Sequence, residues 1–322
     1  MRVLVVLLAA SVFTTGCAVR QYRLDVSSGA QGLTRITSDP ENEFGPKISP
    51  DGKTVIFDTR LARAASIVGV DPQSGAKRTV YTTPSSRAQD AAWDPGGKFF
   101  VYTSNSSGAW SLVRSLTNSP SAAVSIIVSG EMAPIVSYPD ISPDGKSVAF
   151  ATRVRGSWSV AIARLDGSNL TFMGEGTSPA WSPDGKKIAF VRTANRRAHV
   201  YTMDAMNGTD IIQVTNGDHD NLHPTWSPDG SLIAFVSNRA KNKVARIFDA
   251  ATGDTYAVRG GSWGLNLFAV RADGTGFVQL TDGDGVAVQP HWSRDGWIYF
   301  SSNQGGNFDI WRLRPPNTQA PR

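Results

Sequence analysis

The sequence predicts an all-β chain, a six-bladed β-propeller closed by an N-terminal strand that completes the last blade. Three observations carry this. A tight-turn unit followed by an apolar run starts six times, at positions 48, 93, 141, 181, 226 and 292 of the 322 residues. Each unit then continues into a second hairpin. The two ends of the array are incomplete in complementary ways. Repeats of roughly 40–50 residues mark an array of identical supersecondary units, and four antiparallel strands repeated radially make propeller blades.

The clearest unit is Trp226-Ser227-Pro228-Asp229-Gly230, leading into Ile233-Ala234-Phe235-Val236. Pro presets the first corner of a tight turn, Asp suits the second, and Gly tolerates the left-handed conformation that follows. The run after it, rich in Ile, Val, Phe and Tyr, reads as a buried strand. Asn207-Gly208 and Asp273-Gly274, each set between alternating strands, signal the second hairpin of a unit. Two copies are worn: Trp93-Asp94-Pro95-Gly96-Gly97 and Trp292-Ser293-Arg294-Asp295-Gly296.

From the start of the chain, Met1-Arg2 and the apolar run Val3 to Phe13 are too short for a bilayer-spanning helix. Residues 1–16 read as a secretory signal peptide. Thr14-Thr15-Gly16-Cys17 resembles the lipobox of bacterial lipoproteins. That resemblance implies a lipid on Cys17 and a membrane attachment through it. Ala18, where Asp would favour inner-membrane retention, implies the periplasmic face of the outer membrane. Residues 17–32 then read as the lipidated Cys and a flexible tether, about 20 Å in root-mean-square span. Cys17 is the single cysteine, so disulfides and thiolate metal sites are excluded.

The propeller is assigned to 33–314. Gly32 to Thr37 looks like the fourth strand of a unit with no hairpin partner upstream. The last unit stops after one strand, Phe308 to Leu313, at Pro315-Pro316. Pairing these two segments closes the ring and removes open sheet edges. Turn spacings are 45, 48, 40, 45 and 66 residues. The long one places an inserted hairpin at 240–265, in blade five between its second and third strands. Residues 315–322 read as a disordered tail.

The formal net charge of +5 is spread along the chain and gives no clustered stripe of the kind nucleic acid requires. The turn carboxylates Asp51, Asp144, Asp184, Asp229 and Asp295 belong each to a separate turn. Gly260-Gly261-Ser262-Trp263-Gly264 matches a nucleophile-elbow pattern, but the elbow needs a helix after Ser262 and the next residues read as strand. Prolyl-oligopeptidase relatives join similar propellers to a hydrolase domain, for which this chain leaves no room.

Aligning the residue before each strand-entry Pro gives Gly45, Asp90, Tyr138, Ser178, His223 and Gln289. These six should ring one mouth of the central channel, and Asp90, Tyr138, Ser178, His223 and Gln289 are its candidate partner-binding residues. The repeats also look like those of oligogalacturonate lyases, which hold a metal with several His and a Gln at that mouth. On that resemblance His223, Gln289 and His291 are the candidate metal ligands, with one lyase His missing. Asp218, Asp220, Asp282 and Asp284 hint at calcium without the spaced acidic run that it commonly uses. Arg153, Arg155, Arg192, Arg196, Arg197, Arg239, Lys241 and Lys243 fall in loops on the same face, solvated or meeting an acidic partner.

The repeated Trp-Ser-Pro-Asp-Gly-x-x-Ile-Ala-Phe unit resembles the TolB-type, WD-repeat-like propeller. In that family the propeller binds peptidoglycan-associated lipoprotein within an envelope complex, beside an N-terminal α/β domain that this chain lacks. The resemblance implies the fold and a protein-binding habit. The reading is a non-enzymatic, membrane-anchored lipoprotein that binds an envelope protein and uses no cofactor. Its alternatives are a metal-dependent carbohydrate lyase and a sensor of a small ligand or peptide in the channel.

Overall fold

Each Ser-Pro-Asp-Gly turn is closed by its own side chains. Ser227 Oγ donates to Asp229 at 2.5 Å and accepts the Leu232 N–H at 2.9 Å. Ser49, Ser142 and Ser182 donate likewise to Asp51, Asp144 and Asp184 at 2.6–2.7 Å. These serine bonds hold the four carboxyls below the usual carboxylate range. The turn glycines are left-handed, with φ between 69° and 74° at Gly52, Gly97, Gly145, Gly185 and Gly230. A Cβ built on Gly97, Gly145, Gly185 or Gly230 would touch the turn proline of the preceding unit at 3.3–3.9 Å. Successive turns therefore tile against one another around one face.

The computed structural model describes residues 24–26, 30–60, 64–81, 86–128, 135–239, 244–249, 254–259, 264–283 and 285–316. Among these there is no helix, and the strands form six four-stranded antiparallel sheets. The innermost strands are Asn42–Ile48, Ala88–Trp93, Val136–Ile141, Thr177–Trp181, Asn221–Trp226 and Ala287–Trp292. The second strands each place at least one large aromatic in the core: Phe57, Phe100 and Tyr102, Phe150, Phe190, Phe235, and Tyr299 and Phe300, all fully or nearly fully buried. Burial of each such ring stabilises the fold by roughly 1.5–3 kcal/mol. Between the second and third strands of the fifth blade, Val244–Asp249 and Asp254–Arg259 make a separate hairpin.

Ring closure follows the complementary ends of the sequence. Gln31–Arg35 pairs with Asp309–Arg314, Arg35 facing Trp311 and Thr34 facing Arg312. Arg35 meets Asp309 at 2.7 Å, and Ile310 N–H donates to Thr37 Oγ1 at 2.9 Å. Thr37 in turn donates to Glu43 on the innermost strand of blade one, where Lys77 Nζ also binds Glu43 at 2.5 Å.

One element departs from expectation. Residues 17–32 read as a free tether, yet Leu24–Val26 pairs antiparallel with Thr281–Gly283, the link entering blade six. Ala30 is buried with Leu267, Leu280 and Leu313. The backbone pairing and the buried Ala30 thus tie this stretch to the seam between blades five and six. Residues 1–23, with the expected signal peptide and Cys17, and the segment 317–322 lie outside the described residues.

Glu43 and Asp309 are buried carboxyls at the closing seam. Desolvation lifts Glu43 from its ordinary 4.5 to about 7, against the lowering hydrogen bond from Thr37. Desolvation likewise lifts Asp309 from 3.8 to about 6, against Arg35. The folded chain thus holds these protons more tightly than the unfolded chain does. Stability from this source is full below the unfolded values and is lost as pH rises through about 6 to 7. Burial depresses His199, His219 and His291, which adds stability as pH rises and opposes this trend, so the signature is the difference between wild type and the double variant Glu43→Gln, Asp309→Asn. In urea unfolding the wild-type midpoint should fall relative to that of the variant between about pH 5 and about pH 7.5; a constant difference would show that these two carboxyls do not titrate in the folded chain.

Candidate functional site at the channel mouth

In every innermost strand the ladder slips by one residue at the same place. Partners jump from Phe44 to Lys47, Gln89 to Ala92, Ser137 to Asp140, Thr177 to Ala180, Leu222 to Thr225 and Val288 to His291. Two residues then oppose one, which is a β-bulge, and its first residue is left-handed. Those first residues are Gly45 (φ 62°), Asp90 (54°), Tyr138 (51°), Ser178 (49°), His223 (52°) and Gln289 (51°). The second bulge residue is Pro in five blades and Ala91 in the worn one. Pro suits it, because a bulged residue leaves the ladder and needs no N–H there.

The six residues line one cavity of about 60 Å³, with Lys47 and the bulge prolines Pro139, Pro179, Pro224 and Pro290. Gly45 is the small member of the ring, and its missing side chain leaves room. A Cβ there would lie 3.3 Å from Asp58 Oδ1 and 3.9 Å from Gln289 Oε1. Asp58 accepts from Arg60 Nε at 2.6 Å and from Asp90 N–H at 3.4 Å. Arg60 also approaches Asp90 at 3.9 Å, and Asp90 accepts the Tyr138 N–H at 3.5 Å. The Tyr138 and His223 rings approach to 5.8 Å above small Ser178, narrowing the mouth. Gln289 Oε1 is buried and has no hydrogen-bond partner among the described residues.

Two residues further down each strand comes a second level: Lys47, Ala92, Asp140, Ala180, Thr225 and His291. Asp140 accepts the Trp181 N–H at 2.7 Å, and Thr225 accepts the Trp292 N–H at 3.2 Å. Asp140 and His291 keep some surface open to the lumen but lie deep inside the ring. That enclosure raises the Asp140 carboxyl, partly offset by Lys47. It pushes His291 well below the usual histidine range, and Lys47 adds to the shift. His291 is therefore a neutral imidazole at physiological pH. Sequence reasoning missed Lys47 and Asp140. Their signal was available, since both stand two places after an aligned mouth position.

The structure brings His223 and Gln289 to one cavity and leaves His291 a level below. Among the described residues, no three His, Cys, Asp or Glu side chains gather as a metal cluster. The calcium candidates are otherwise engaged: Arg197 binds Asp218 at 2.5 Å and Asp220 at 3.7 Å, and Asp220 receives Ala198 N–H and Asn238 Nδ2. Asp282 sits on the link paired with Leu24–Val26, and Asp284 lies outside the described residues. Of the loop cations, Arg197 is thus an ion-pair partner, Arg239 covers the Phe277 ring at 4.1 Å and Arg153 covers Trp158 at 5.6 Å. Arg192 reaches Glu175 at 3.9 Å, whereas Arg155 and Arg196 are exposed at hairpin tips. Lys241, Lys243 and Ser262 lie outside the described residues. The stretch after Ser262 is strand, Asn266–Arg271, and not the helix of a nucleophile elbow.

A family model described as the TolB beta propeller domain matches residues 117–263. The chain is 26% identical over 169 residues to dipeptidyl-peptidase 5 of Porphyromonas gingivalis, covering 47% of this chain and 24% of that one. It is 25% identical over 213 residues to the Tol-Pal system protein TolB of Francisella tularensis subsp. holarctica, covering 65% of this chain and 48% of that one. The chain thus spans between about a quarter and about half of these curated relatives. Among solved structures, TolB from Acinetobacter baumannii matches with TM-score 0.63 at 19% identity, over 80% of this chain and 59% of that one. An oligogalacturonate lyase from Vibrio parahaemolyticus matches with TM-score 0.57 at 11% identity, over 93% and 98%. At these identities the structural likenesses show the fold alone.

Left-handed backbone costs a non-glycine residue about 1–2 kcal/mol. Gly45→Ala should therefore destabilise by about 1–2 kcal/mol in urea titration, and Ser178→Gly should stabilise by up to about 1 kcal/mol. Equal losses in both variants would show that packing, not backbone conformation, governs the ring.

Proposed function

We propose that this chain, a TolB-like β-propeller, is a non-enzymatic binding module of the cell envelope that holds a protein partner at its channel mouth. The observation that carries this is the ring of five non-glycine residues held left-handed around one cavity. Backbone strain of about 1–3 kcal/mol per residue persists where surrounding structure enforces it, and it concentrates at ligand clamps. Six blades repeat it in register, although the side chains differ at every position: an acid, a phenol, a hydroxyl, an imidazole and an amide. A mouth built this way presents a rigid, varied polar rim, as recognition of one partner segment requires.

The chain's route supports an anchored arrangement. Leu24 pairs with Gly283 in the link at the mouth end of blade six. With lipid on Cys17, the residues 18–23 reach roughly 20 Å when fully extended. The mouth is then kept near the membrane surface, and the partner it meets is held in that same membrane. The lipobox-like Thr14-Thr15-Gly16-Cys17 and Ala18 support the periplasmic face of the outer membrane.

A second reading has one specific observation in its favour. His223 and Gln289 share the cavity, and the neutral imidazole of His291 lies on the same strand as Gln289. These residues fit part of a metal site for a carbohydrate lyase, with Tyr138 beside His223. The missing third histidine argues against it.

Cys17→Ser should move the protein from the membrane to the soluble fraction. Ser178→Trp, which fills the mouth, should lower cross-linked capture of an envelope protein by about tenfold, with membrane attachment unchanged. Elemental analysis and an oligogalacturonate cleavage assay address the second reading. Stoichiometric transition metal that is lost in His223→Ala, together with turnover, would replace the binding-module reading.

A further inference from the structure

A second cavity, about 350 Å³ in volume, lies far from the mouth at the seam between blades two and three. It opens on the face of the Ser-Pro-Asp-Gly turns. Its walls follow from two local irregularities. The outer strand of blade two, Ser119–Val128, advances five residues while its partner advances two, from the Ser119–Leu116 pair to the Val124–Arg114 pair. A second slip follows between Ser125 and Ile127. These bulges bend the strand away from its sheet. From the other side, the hairpin of blade three closes on Ile126. A Cβ on Gly167 would sit 2.4 Å from Ile126 O, so only glycine permits this approach.

Three cations line the cavity: Arg114, Lys146 and Arg164. Among the described residues, neither Arg114 nor Arg164 has a carboxylate within ion-pair distance. Lys146 is 4.0 Å from Asp144, with both side chains exposed to solvent, a contact of little worth. The one acid in the lining, Asp166, accepts from the Ser168 hydroxyl at 2.6 Å and the Ser168 N–H at 2.9 Å; its charge also acts on Arg164, so the wall carries three cations against one anion. The rest of the wall is apolar, from Val124, Ile126 and Leu165. Val124 is 56% exposed, among the most open large apolar side chains described. A cavity of this size falls at the lower end of small-molecule sites, which span about 300–1,000 Å³.

We propose that this seam binds a small anion that carries an apolar group, such as a phosphomonoester or carboxylate on a short hydrocarbon body. The two arginines and Lys146 receive the charged head, and Val124, Ile126 and Leu165 receive the tail. Arg114 is the orienting member. Its guanidinium lies 5.6 Å from the Phe99 ring, which restricts its motion, whereas Lys146 and Arg164 close over the ligand from the next blade. Inorganic phosphate offers only the head and an alkyl glucoside only the tail, so both bind more weakly than the combined ligand. The site involves no bond making or breaking, and it is independent of any partner at the mouth.

The test is calorimetric titration of n-octyl phosphate, below its micelle threshold, into the full chain. Saturable one-to-one binding is expected, at least about tenfold tighter than inorganic phosphate or octyl glucoside. Raising salt should weaken it, because the head group is held by charge. The variant Lys146→Gln, Arg164→Gln changes only exposed side chains and should keep the melting temperature while losing about tenfold in affinity. Arg114→Gln should lose as much, and Val124→Ser should weaken octyl phosphate while leaving inorganic phosphate unchanged. Flotation with phosphatidylcholine vesicles doped with phosphatidic acid separates two sources of the same chemistry. Flotation that disappears in the Lys146, Arg164 variant assigns the ligand to a lipid, and octyl phosphate binding without flotation assigns it to a soluble compound. Absent or non-saturable binding, or equal affinity in wild type and both charge variants, would overturn the proposal.

Discussion

A ring of sheets has a first blade and a last one, and its geometry exists only if they are joined. Here the join is made by main-chain bonds between Gln31–Arg35 and Asp309–Arg314. Thr37 carries the join from blade six to blade one, accepting from Ile310 and donating to Glu43, while Arg35–Asp309 braces the blade-six side and Lys77–Glu43 the blade-one side. The mouth depends on this directly. The space left by Gly45 in blade one is filled partly by the Gln289 amide of blade six, 3.9 Å from where a Cβ would stand. Breaking the join would separate those two members of the rim, and a six-membered collar would become an open arc.

The two levels of the channel have different physical characters. The rim consists of left-handed bulge residues whose side chains differ from blade to blade, and it carries conformational cost without regular secondary-structure gain. The level below is tied into neighbouring blades. Asp140 accepts from Trp181, and the Trp93 and Trp226 indoles donate to the Lys47 and Ala180 carbonyls at 3.0 and 3.1 Å. This lower belt fixes the blades against one another, so that the rim above it is held without needing to hold itself. Variation at the rim is thereby uncoupled from the integrity of the ring.

Much of this was legible in the residues themselves. Pro-Asp-Gly chemistry marks each turn locally, and a strand-entry Pro repeats at a fixed place in five blades, so aligning the residue before it and counting across the worn unit reaches all six rim positions. The same counting succeeds at Asp90 even though blade two has Ala91 in place of Pro, because the bulge is imposed by the sheet and not by proline alone. What stayed hidden depends on contacts distant in sequence. Glu43 looks like an ordinary strand residue until Thr37, Lys77 and Asp309 converge on it. Leu24–Val26 reads as tether because its partner, Thr281–Gly283, lies more than two hundred residues away. The acids near 218–220 suggest an ion until Arg197 arrives from the neighbouring hairpin.

The tiling of turns has a direction and an interruption. Glycine rests on the preceding proline at the four junctions from blade one to blade five, but Gly296 and Gly52 meet nothing within 4 Å. Arg294 replaces the proline on which Gly52 would otherwise rest. The underside of blade six is therefore ungripped on both flanks, next to the sheet assembled from both chain ends. A torus with one slack sector yields there first under strain, so thermal breathing in this molecule should be localised at that sector, not shared evenly around the circumference.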